Sequence, residues 1–545
     1  MATASTTGST GTTRVREVDD AGRMSEHEAL MWNIEKDPWL NPSGASLIVF
    51  DRPLDMDHFR RQIRAGVART PRLYQRAVPG FGRISTPAWV PDAEFDLDAH
   101  IRELVLPEPG DDRTLLDLAA RLYAEPLDRT RPLWRFVVIS GLSGGRGAVW
   151  SIIHHSISDG IGQMRIAEMY QQLERDAPPA DEVDLEAIVA EAAAAHRAKE
   201  SGGNTAQSMV STLRDSSAHL LRRQVGIGRR LLGEVAMWPA DPRRVGDSVG
   251  NVVDTVKGVL DQVGGDGEDR PAGSPLWAER SRHRELEWVR ADLSSVKATG
   301  AAFGATINDV FMAAVVEAVY RYHAERGVGL ETTNTSFVLS TRRDGKAGGN
   351  SFTPVPITLP AGPMSAGARI GSVVAEIEAA KERASRTGGL TGLSGVANLL
   401  PISAVTQAAR AAARRIDVAT SNLRGAAIPL YCAGAEVQAT IPMGPVAGTG
   451  ANITAMSYNG GLDIGIFCDP AAITEPAAFA RHLDDAFTHL ADAAESHATK
   501  KQSAAKKKTA TKKKTAAKKT ATKKRAATKK KTAAKTKTAK TRTAS

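Results

Sequence analysis

Apolar positions along the chain change period repeatedly, and each change predicts an element. Ser25-Glu-His-Glu28 has the form of a capping box and predicts a short helix through Trp32, after which the apolar run Ser46–Phe50 reads as a strand. Phe59, Ile63 and Val67 recur at helical spacing within Asp57–Thr70. Leu133–Ser140 and Ala148–Ile153 are apolar and β-rich, and the Gly-rich turn Gly141–Gly147 between them predicts a strand pair. Ile166, Met169, Tyr170 and Leu173 then return to helical spacing until Pro178-Pro179 stops them. In the second half, Glu285–Leu293 reads as a strand and Thr306–His323 as a helix with Ile307, Val310, Phe311, Ala314, Val315 and Ala318 on one face. Strands are predicted again at Thr335–Leu339, Glu436–Ile441, Ala451–Tyr458 and Gly461–Phe467, and a closing helix at Thr474–Ser496. Strands and helices alternate in both halves, which is the pattern of an α/β protein.

The same pattern divides the 545 residues. Residues 1–23 are polar and Thr/Ser-rich, too poor in apolar side chains to fold, and read as a disordered leader. Residues 24–177 form a first domain and 276–499 a second. Between them, 178–275 is a connecting segment with an Ala/Glu helix at Leu185–Glu200 and amphipathic pieces at Met209–Val235 and Val249–Val263. Its basic clusters Arg222-Arg223 and Arg229-Arg230, beside Leu220, Leu221, Leu231 and Leu232, fit a helix packed on its own protein or one lying on a lipid surface.

Charge changes the picture at the end of the chain. The net charge of +10 hides two opposed parts: residues 500–545 carry 20 Lys and Arg and no acid, so the preceding body carries a net charge of −10. This Lys/Ala/Thr tract has no apolar anchor and is expected to be disordered. Three roles fit it: a solubility tail, a tether to an anionic lipid surface, and a nucleic-acid binder. It contains no aromatic residue, which argues against base stacking and sequence reading. Two cysteines, Cys432 and Cys468, provide neither a disulfide framework nor a metal cluster and fit a reducing cytoplasm. The leader lacks the apolar core of a secretory signal, and no run approaches the roughly 18 apolar residues of a spanning helix, so membrane contact is expected to be peripheral.

Candidate chemistry concentrates in Ser151-Ile-Ile-His154-His155-Ser-Ile-Ser158-Asp159-Gly160, at the end of a predicted strand. Imidazole titrates near neutrality, so one histidine can take a proton from a hydroxyl and return it to a leaving group. Asp159 can orient that ring or pin the loop, and Gly160 permits close approach. An isolated His-His pair is more often two ordinary loop residues before an Asx turn. Two histidines, a carboxylate and a glycine within seven residues are much rarer.

That stretch resembles the His-His-x-x-x-Asp-Gly signature of coenzyme A-dependent acyltransferases, shared by the condensation domains of non-ribosomal peptide synthesis. Glu125–Arg135 with its Pro132-Leu133-Trp134 resembles the segment that precedes the histidines in the bacterial wax ester synthase/diacylglycerol acyltransferase family. Pro87-Ala-Trp89, Phe95-Asp-Leu97 with His100, Gly304–Val310, Ser340-Thr-Arg-Arg343 and Ser457–Gly461 with Asp469 follow in family order, so the resemblance runs from about Ser25 to about Leu490. Ser421-Asn-Leu-Arg-Gly425 lacks the proline that relatives carry there.

The resemblance implies two sandwich domains of the chloramphenicol acetyltransferase type with the active site at their interface. It implies transfer of a long-chain acyl group from acyl-coenzyme A, a co-substrate, to diacylglycerol or a long-chain alcohol, with no metal or prosthetic group. His155 is then the general base, His154 shapes the loop, and Gly160 keeps the tunnel mouth open. Related folds pair the motif aspartate with an early arginine, which nominates Arg72 or Arg76 as the partner of Asp159. Pro132, Leu133, Trp134, Asn308 and Asp309 become binding or structural residues near the site. The expected location is cytoplasmic, peripheral to the inner membrane or to lipid droplets, with the tail on an anionic surface. Two rivals remain: a condensation-type enzyme using carrier-bound acyl groups, and a non-catalytic lipid-surface or nucleoid protein acting through its tail.

Overall fold

A computed structural model describes residues 22–80, 86–201, 273–340, 352–386 and 402–540. The leader through residue 21, the clusters at Arg222-Arg223 and Arg229-Arg230, and the segment after Ser340 lie outside the described residues.

The first sheet is built on two strands, one buried along its whole length and the other at all but Ser46. β1 (Ser43–Phe50) lies beside the strand Gly147–His154, which follows β2 (Gln75–Val78), β3 (Ala88–Pro91), β4 (Ile101–Val105) and β5 (Trp134–Ser140) and is therefore β6. Successive side chains of a strand point to opposite faces. Accordingly, Leu47, Val49, Trp150 and Ile152 enter one core with the helix α3 (Asp112–Ala124). Ile48, Phe50, Val149 and Ile153 enter another with α2 (Met56–Arg69), while α1 (Glu26–Ile34) adds Ala29 and Trp32 to the first. Helices on both faces explain why β6 reads as a continuous apolar run rather than an alternating one. The expected Gly-rich hairpin joins β5 to β6, paired antiparallel from Trp134 opposite Ile153 to Ile139 opposite Ala148.

Beyond β6, α4 is shorter than the periodicity predicts, Gly160–Ala167. Tyr170 leaves the helical path to enter the core, where its ring meets Phe59 and Phe136 edge-on. The chain then pairs with a distant strand end through the bridge Gln172–Tyr431. α5 (Leu185–Ser201), the start of the connecting segment, packs Leu185 and Val189 into the core shared with α2, and Arg64 of α2 pairs with Glu186 at 2.6 Å.

The second sheet holds β7 (Glu285–Asp292), β8 (Thr332–Ser340), β9 (Phe352–Pro360), β10 (Val418–Arg424), β13 (Ala451–Tyr458) and β14 (Gly461–Cys468), in the order β7-β14-β13-β10-β8-β9. The helices around it are α6 (Leu293–Phe303), α7 (Ile307–Glu325) and α8 (Ala366–Arg386), whereas α9 (Ile402–Arg414) packs on α1 of the first half, with Arg410 3.5 Å from Asp37. α7 starts as its sequence predicts, with Thr306 and Asp309 forming a capping box.

The late strand predicted at Glu436–Ile441 does not join this second sheet. It is β12 (Ala435–Met443), which with β11 (Tyr431–Cys432) completes the first sheet, in the order β11-β12-β1-β6-β5-β4. β12 pairs antiparallel with β1, Ala45 opposite Met443. Two strands from the far end of the chain thus belong to the N-terminal half and bind the halves together. Asp463 of β14 strengthens the join, accepting the Thr440 N–H at 3.0 Å and the Trp288 indole N–H at 3.2 Å.

The tail expected to be disordered is instead helical in backbone. α10 runs without a break from Pro476 to Lys540. Its first turns bury Phe479, Leu483, Phe487 and Leu490 against the second core. Beyond them Lys and Ala are strong helix formers, and after Pro476 no Gly or Pro interrupts the helix.

Candidate active site

The histidine pair sits where β6 ends between two other chain segments. The His154 N–H donates to the Leu133 carbonyl at 3.0 Å, and the His155 N–H donates to the Pro42 carbonyl at 3.2 Å. Leu133 leads into β5 and Pro42 into β1, so both flanking strands hold the main chain of the pair. The chain then turns through Ser156, and α4 begins with Asp159 as its N-cap, the carboxylate accepting the Gly162 N–H at 2.8 Å. His154, His155, Ser156 and Asp159 are all buried.

Burial governs the electrostatics. It pushes the His155 imidazole down to about 4, helped by His154 and His27 and opposed by the Asp159 carboxylate and a hydrogen bond donated to the backbone of Ser158. At neutral pH His155 is therefore uncharged. Burial likewise lowers His27, again against the pull of Asp159. His27, His155 and Asp159 form one electrostatic cluster that joins the start of α1 to the start of α4.

Gly160 is a point of contact between the halves. A Cβ there would stand 3.3 Å from a methyl of Leu423 on β10, tighter than an ordinary contact. The segment Ser421–Gly425 therefore brings the second sheet against the histidine loop, and the loop lies at the interface between the halves. Pro132, Leu133 and Trp134 serve structure beside it. The Leu133 carbonyl holds His154, the Trp134 indole donates to the Leu73 carbonyl at 2.7 Å, and the His100 ring stacks on Trp134 at 4.4 Å.

Other expected residues go elsewhere. Arg72 and Arg76, nominated as partners of Asp159, meet different carboxylates: Arg72 lies 3.9 Å from Glu28 and 4.2 Å over the Trp89 ring, and Arg76 lies 3.9 Å from Asp92. The early arginines thus brace the entry to the first domain. Asp309 caps α7, and Asn308 contacts Met312 of the same helix at 3.6 Å, so the described contacts of both are local to the second core.

Four residues that the sequence did not single out complete the site. Ser156 contacts the His154 ring, Nδ1 to Oγ at 2.6 Å. Glu35 lies 3.5 Å from His154 Nε2, and Arg129 holds Glu35 at 2.5 Å. His27 is the fourth. The capping box marked the neighbourhood of His27 and the Glu125–Arg135 segment that of Arg129, whereas Glu35 stands far from the motif in sequence and comes to it through tertiary packing.

A cavity of about 700 Å³ opens between α3, the start of β7 and the start of α10, with Arg113, Arg121, Arg284, Arg481 and Glu287 among its lining residues; no residue of the histidine loop lines it. Among the described residues, no group of three or more His, Cys, Asp or Glu is placed to hold a metal, and no single helix is long and apolar enough to cross a membrane.

Comparison with known proteins places this geometry in a wider set. Residues 24–311 match the model of the wax ester synthase/diacylglycerol acyltransferase catalytic domain, and residues 348–491 match that family's C-terminal domain. A putative diacylglycerol O-acyltransferase of Mycobacterium tuberculosis H37Rv is 27% identical over 491 residues, covering 87% of this chain and 93% of the relative. A probable diacylglycerol O-acyltransferase of M. tuberculosis CDC 1551 is 26% identical over 458 residues, covering 82% and 90%. Among solved structures, the wax ester synthase/diacylglycerol acyltransferase of Marinobacter aquaeolei VT8 superposes with a TM-score of 0.58 at 19% identity, covering 87% of this chain and all of that one. The first condensation domain of the calcium-dependent antibiotic synthetase gives 0.50 at 17%, covering 87% and 97%. At these identities the structural likeness shows the shared fold.

Proposed function

We propose that this chain, which belongs to the wax ester synthase/diacylglycerol acyltransferase family, moves a long-chain acyl group from acyl-coenzyme A to the hydroxyl of diacylglycerol or a long-chain alcohol. The observation that carries the reading is His155, buried and uncharged where the two halves meet, with Asp159 in its field. In this mechanism neutral His155 takes the acceptor's hydroxyl proton as the oxygen attacks the thioester carbonyl. The carbonyl–oxygen bond forms, the carbon–sulfur bond breaks, and the imidazolium returns its proton to the departing thiolate. Asp159 stabilises the transient imidazolium, whose charge burial otherwise opposes. Holding both substrates together supplies the proximity, so no acyl-enzyme is needed.

The relatives' names favour diacylglycerol as acceptor, and the family name keeps alcohols in play. Incubating the purified protein with labelled palmitoyl-coenzyme A, diacylglycerol and hexadecanol in competition tests the reading. Labelled triacylglycerol, wax ester or both support it; release of free fatty acid alone, or no transfer, defeats it. The location that fits such products is the cytoplasmic face of the membrane or a lipid droplet. The 20 cations of the tail then supply a reversible electrostatic hold on anionic lipid.

A further inference from the structure

We propose that Glu35, held by Arg129, is a positioning residue: it fixes the ring proton of His154 on Nε2 and so holds the histidine loop in the geometry from which His155 works. The proposal rests on the acyl-transfer reading for its kinetic consequence, and on the geometry alone for the proton.

The two nitrogens of the fully buried His154 ring face different chemistry. Nδ1 accepts the backbone N–H of Ser156 at 3.0 Å and lies 2.6 Å from that residue's hydroxyl. A nitrogen that accepts an amide proton carries none of its own, so the proton of the neutral ring sits on Nε2. The Glu35 carboxylate lies 3.5 Å from Nε2, an electrostatic contact longer than a hydrogen bond, and Nε2 has no other partner among the described residues. The two ends of the ring thus favour the same tautomer, one by a hydrogen-bond donor and one by a neighbouring negative charge.

Glu35 is itself held in place. It follows α1 directly, and its carboxylate meets Arg129 at 2.5 Å. Arg129 also donates to the Trp32 carbonyl at 2.9 Å and stacks its guanidinium 3.4 Å from the centre of the Trp32 ring. Burial opposes the Glu35 charge, yet His154 and Arg129 together hold this carboxyl below its usual range. It therefore stays an acceptor throughout the neutral range.

The consequence passes through the next residue. The main chain at His154 and His155 is already tied to Leu133 and Pro42. With the His154 ring also fixed, the pair is held at both backbone and side chain, which sets where the His155 ring points. A ring protonated on Nδ1 would oppose its own proton to the Ser156 N–H and push the turn away. Small misplacements of a catalytic group are costly, about 10²-fold for 1 Å.

The test joins a spectroscopic and a kinetic reading. In protein carrying ring-¹⁵N histidine, the His154 signals are assigned by their loss in His154→Asn and then followed in Glu35→Gln and in the double variant Glu35→Leu/Arg129→Leu. The double variant leaves no charge buried alone, so it is suited to folding. The unmodified protein should show His154 protonated on Nε2. Glu35→Gln keeps an oxygen acceptor and should keep that tautomer, with kcat for palmitoyl-coenzyme A reduced less than about tenfold. The double variant should show mixed tautomers and lose about 10- to 100-fold in kcat, up to the loss expected for misplacing a catalytic group by about 1 Å, with KM within about twofold. A His154 protonated on Nδ1 in the unmodified protein would overturn the proposal. So would a folded double variant with kcat within twofold of normal, or with His154 signals unchanged. Absence of acyl transfer by the unmodified protein would count against the functional reading instead, and the ¹⁵N signals would still decide the Glu35–His154 contact.

Discussion

Strands β6 and β14 each run eight wholly buried residues between two antiparallel neighbours, and their ends are put to opposite uses. After β14 the chain places Asp469, whose carboxylate receives the Ser281 N–H and hydroxyl at 2.6 Å each and the Ala471 N–H at 3.0 Å, with Arg284 at 3.2 Å. Every lone pair is committed to holding the second half together. After β6 the chain places a histidine pair in which one ring is clamped and the other is kept uncharged by burial beside a carboxylate. One strand end is saturated and therefore structural. The other keeps a group whose protonation can change during a reaction, which is what an acid–base site requires.

The sharpest way to break this contrast is to remove His155. We expect His155→Ala to cost on the order of 10²–10⁴ in turnover, the range for a positioned general base, with the fold retained. A folded variant with near-normal turnover on palmitoyl-coenzyme A would place the chemistry elsewhere. The complementary change at the other strand end is Asp469→Ala, which leaves Arg284 buried without its partner. Breaking such a pair typically costs about 3–5 kcal/mol. Denaturant melts should show that loss, while turnover per folded molecule stays within about twofold.

Acid sharpens the comparison from a different side. The folded pKa of His155 lies near 4, below its ordinary value of 6.5. Between those values the unfolded chain binds a proton that the native site refuses, so stability falls as pH drops through that window and levels off below it. The difference corresponds to roughly 3 kcal/mol at most. In His155→Asn that part of the pH dependence should vanish. Equal stability–pH slopes in the two proteins between pH 6.5 and 4 would mean that His155 is not held neutral by burial.

The contrast also marks what could be read from the chain alone. His154, His155, Asp159 and Gly160 are legible because one strand end and one helix start bring them together locally, within seven residues. The two strands that frame them are legible for the same reason. Glu35 and His27 are not, because the packing of α1 brings them to the histidines, and Arg129, though it lies in the Glu125–Arg135 segment, carries no local mark of the carboxylate it meets. The placement of β12 was hidden differently: an apolar strand carries no label for the sheet it will join, and its partner β1 lies nearly four hundred residues earlier. α4 ends early because Tyr170 gains more from an aromatic core than from continuing a helical stripe. The pairing of Asp159 with Arg72 or Arg76 came from the resemblance rather than from spacing, and the arginines meet Glu28 and Asp92 instead.

The smallest expected effect on chemistry belongs to the region farthest in character from both strand ends. The packed part of α10 ends near Ala494, so a chain stopped after Thr499 keeps Phe479, Leu483, Phe487 and Leu490 in the second core. What it loses is a segment with 20 positive charges and no apolar side chain larger than alanine. Residues 500–540 of α10 extend about 60 Å at 1.5 Å per residue. The basic clusters recur every five or six residues, a spacing that does not match the helical turn, and the segment holds no side chain apolar enough to enter a bilayer. Attachment must then be electrostatic and reversible, steeply weakened by salt. Turnover on detergent-dispersed substrate should stay within about twofold of normal after truncation. Binding to anionic vesicles at low salt should fall sharply, because each lysine close to such a surface contributes about 1 kcal/mol. Duplex DNA at the same ionic strength provides the competing polyanion. Vesicle binding that survives truncation would move membrane attachment to the body, whose net charge of −10 opposes an anionic surface. Attachment there would have to come from exposed apolar residues such as Leu173 and Ile428, which flank the Gln172–Tyr431 bridge.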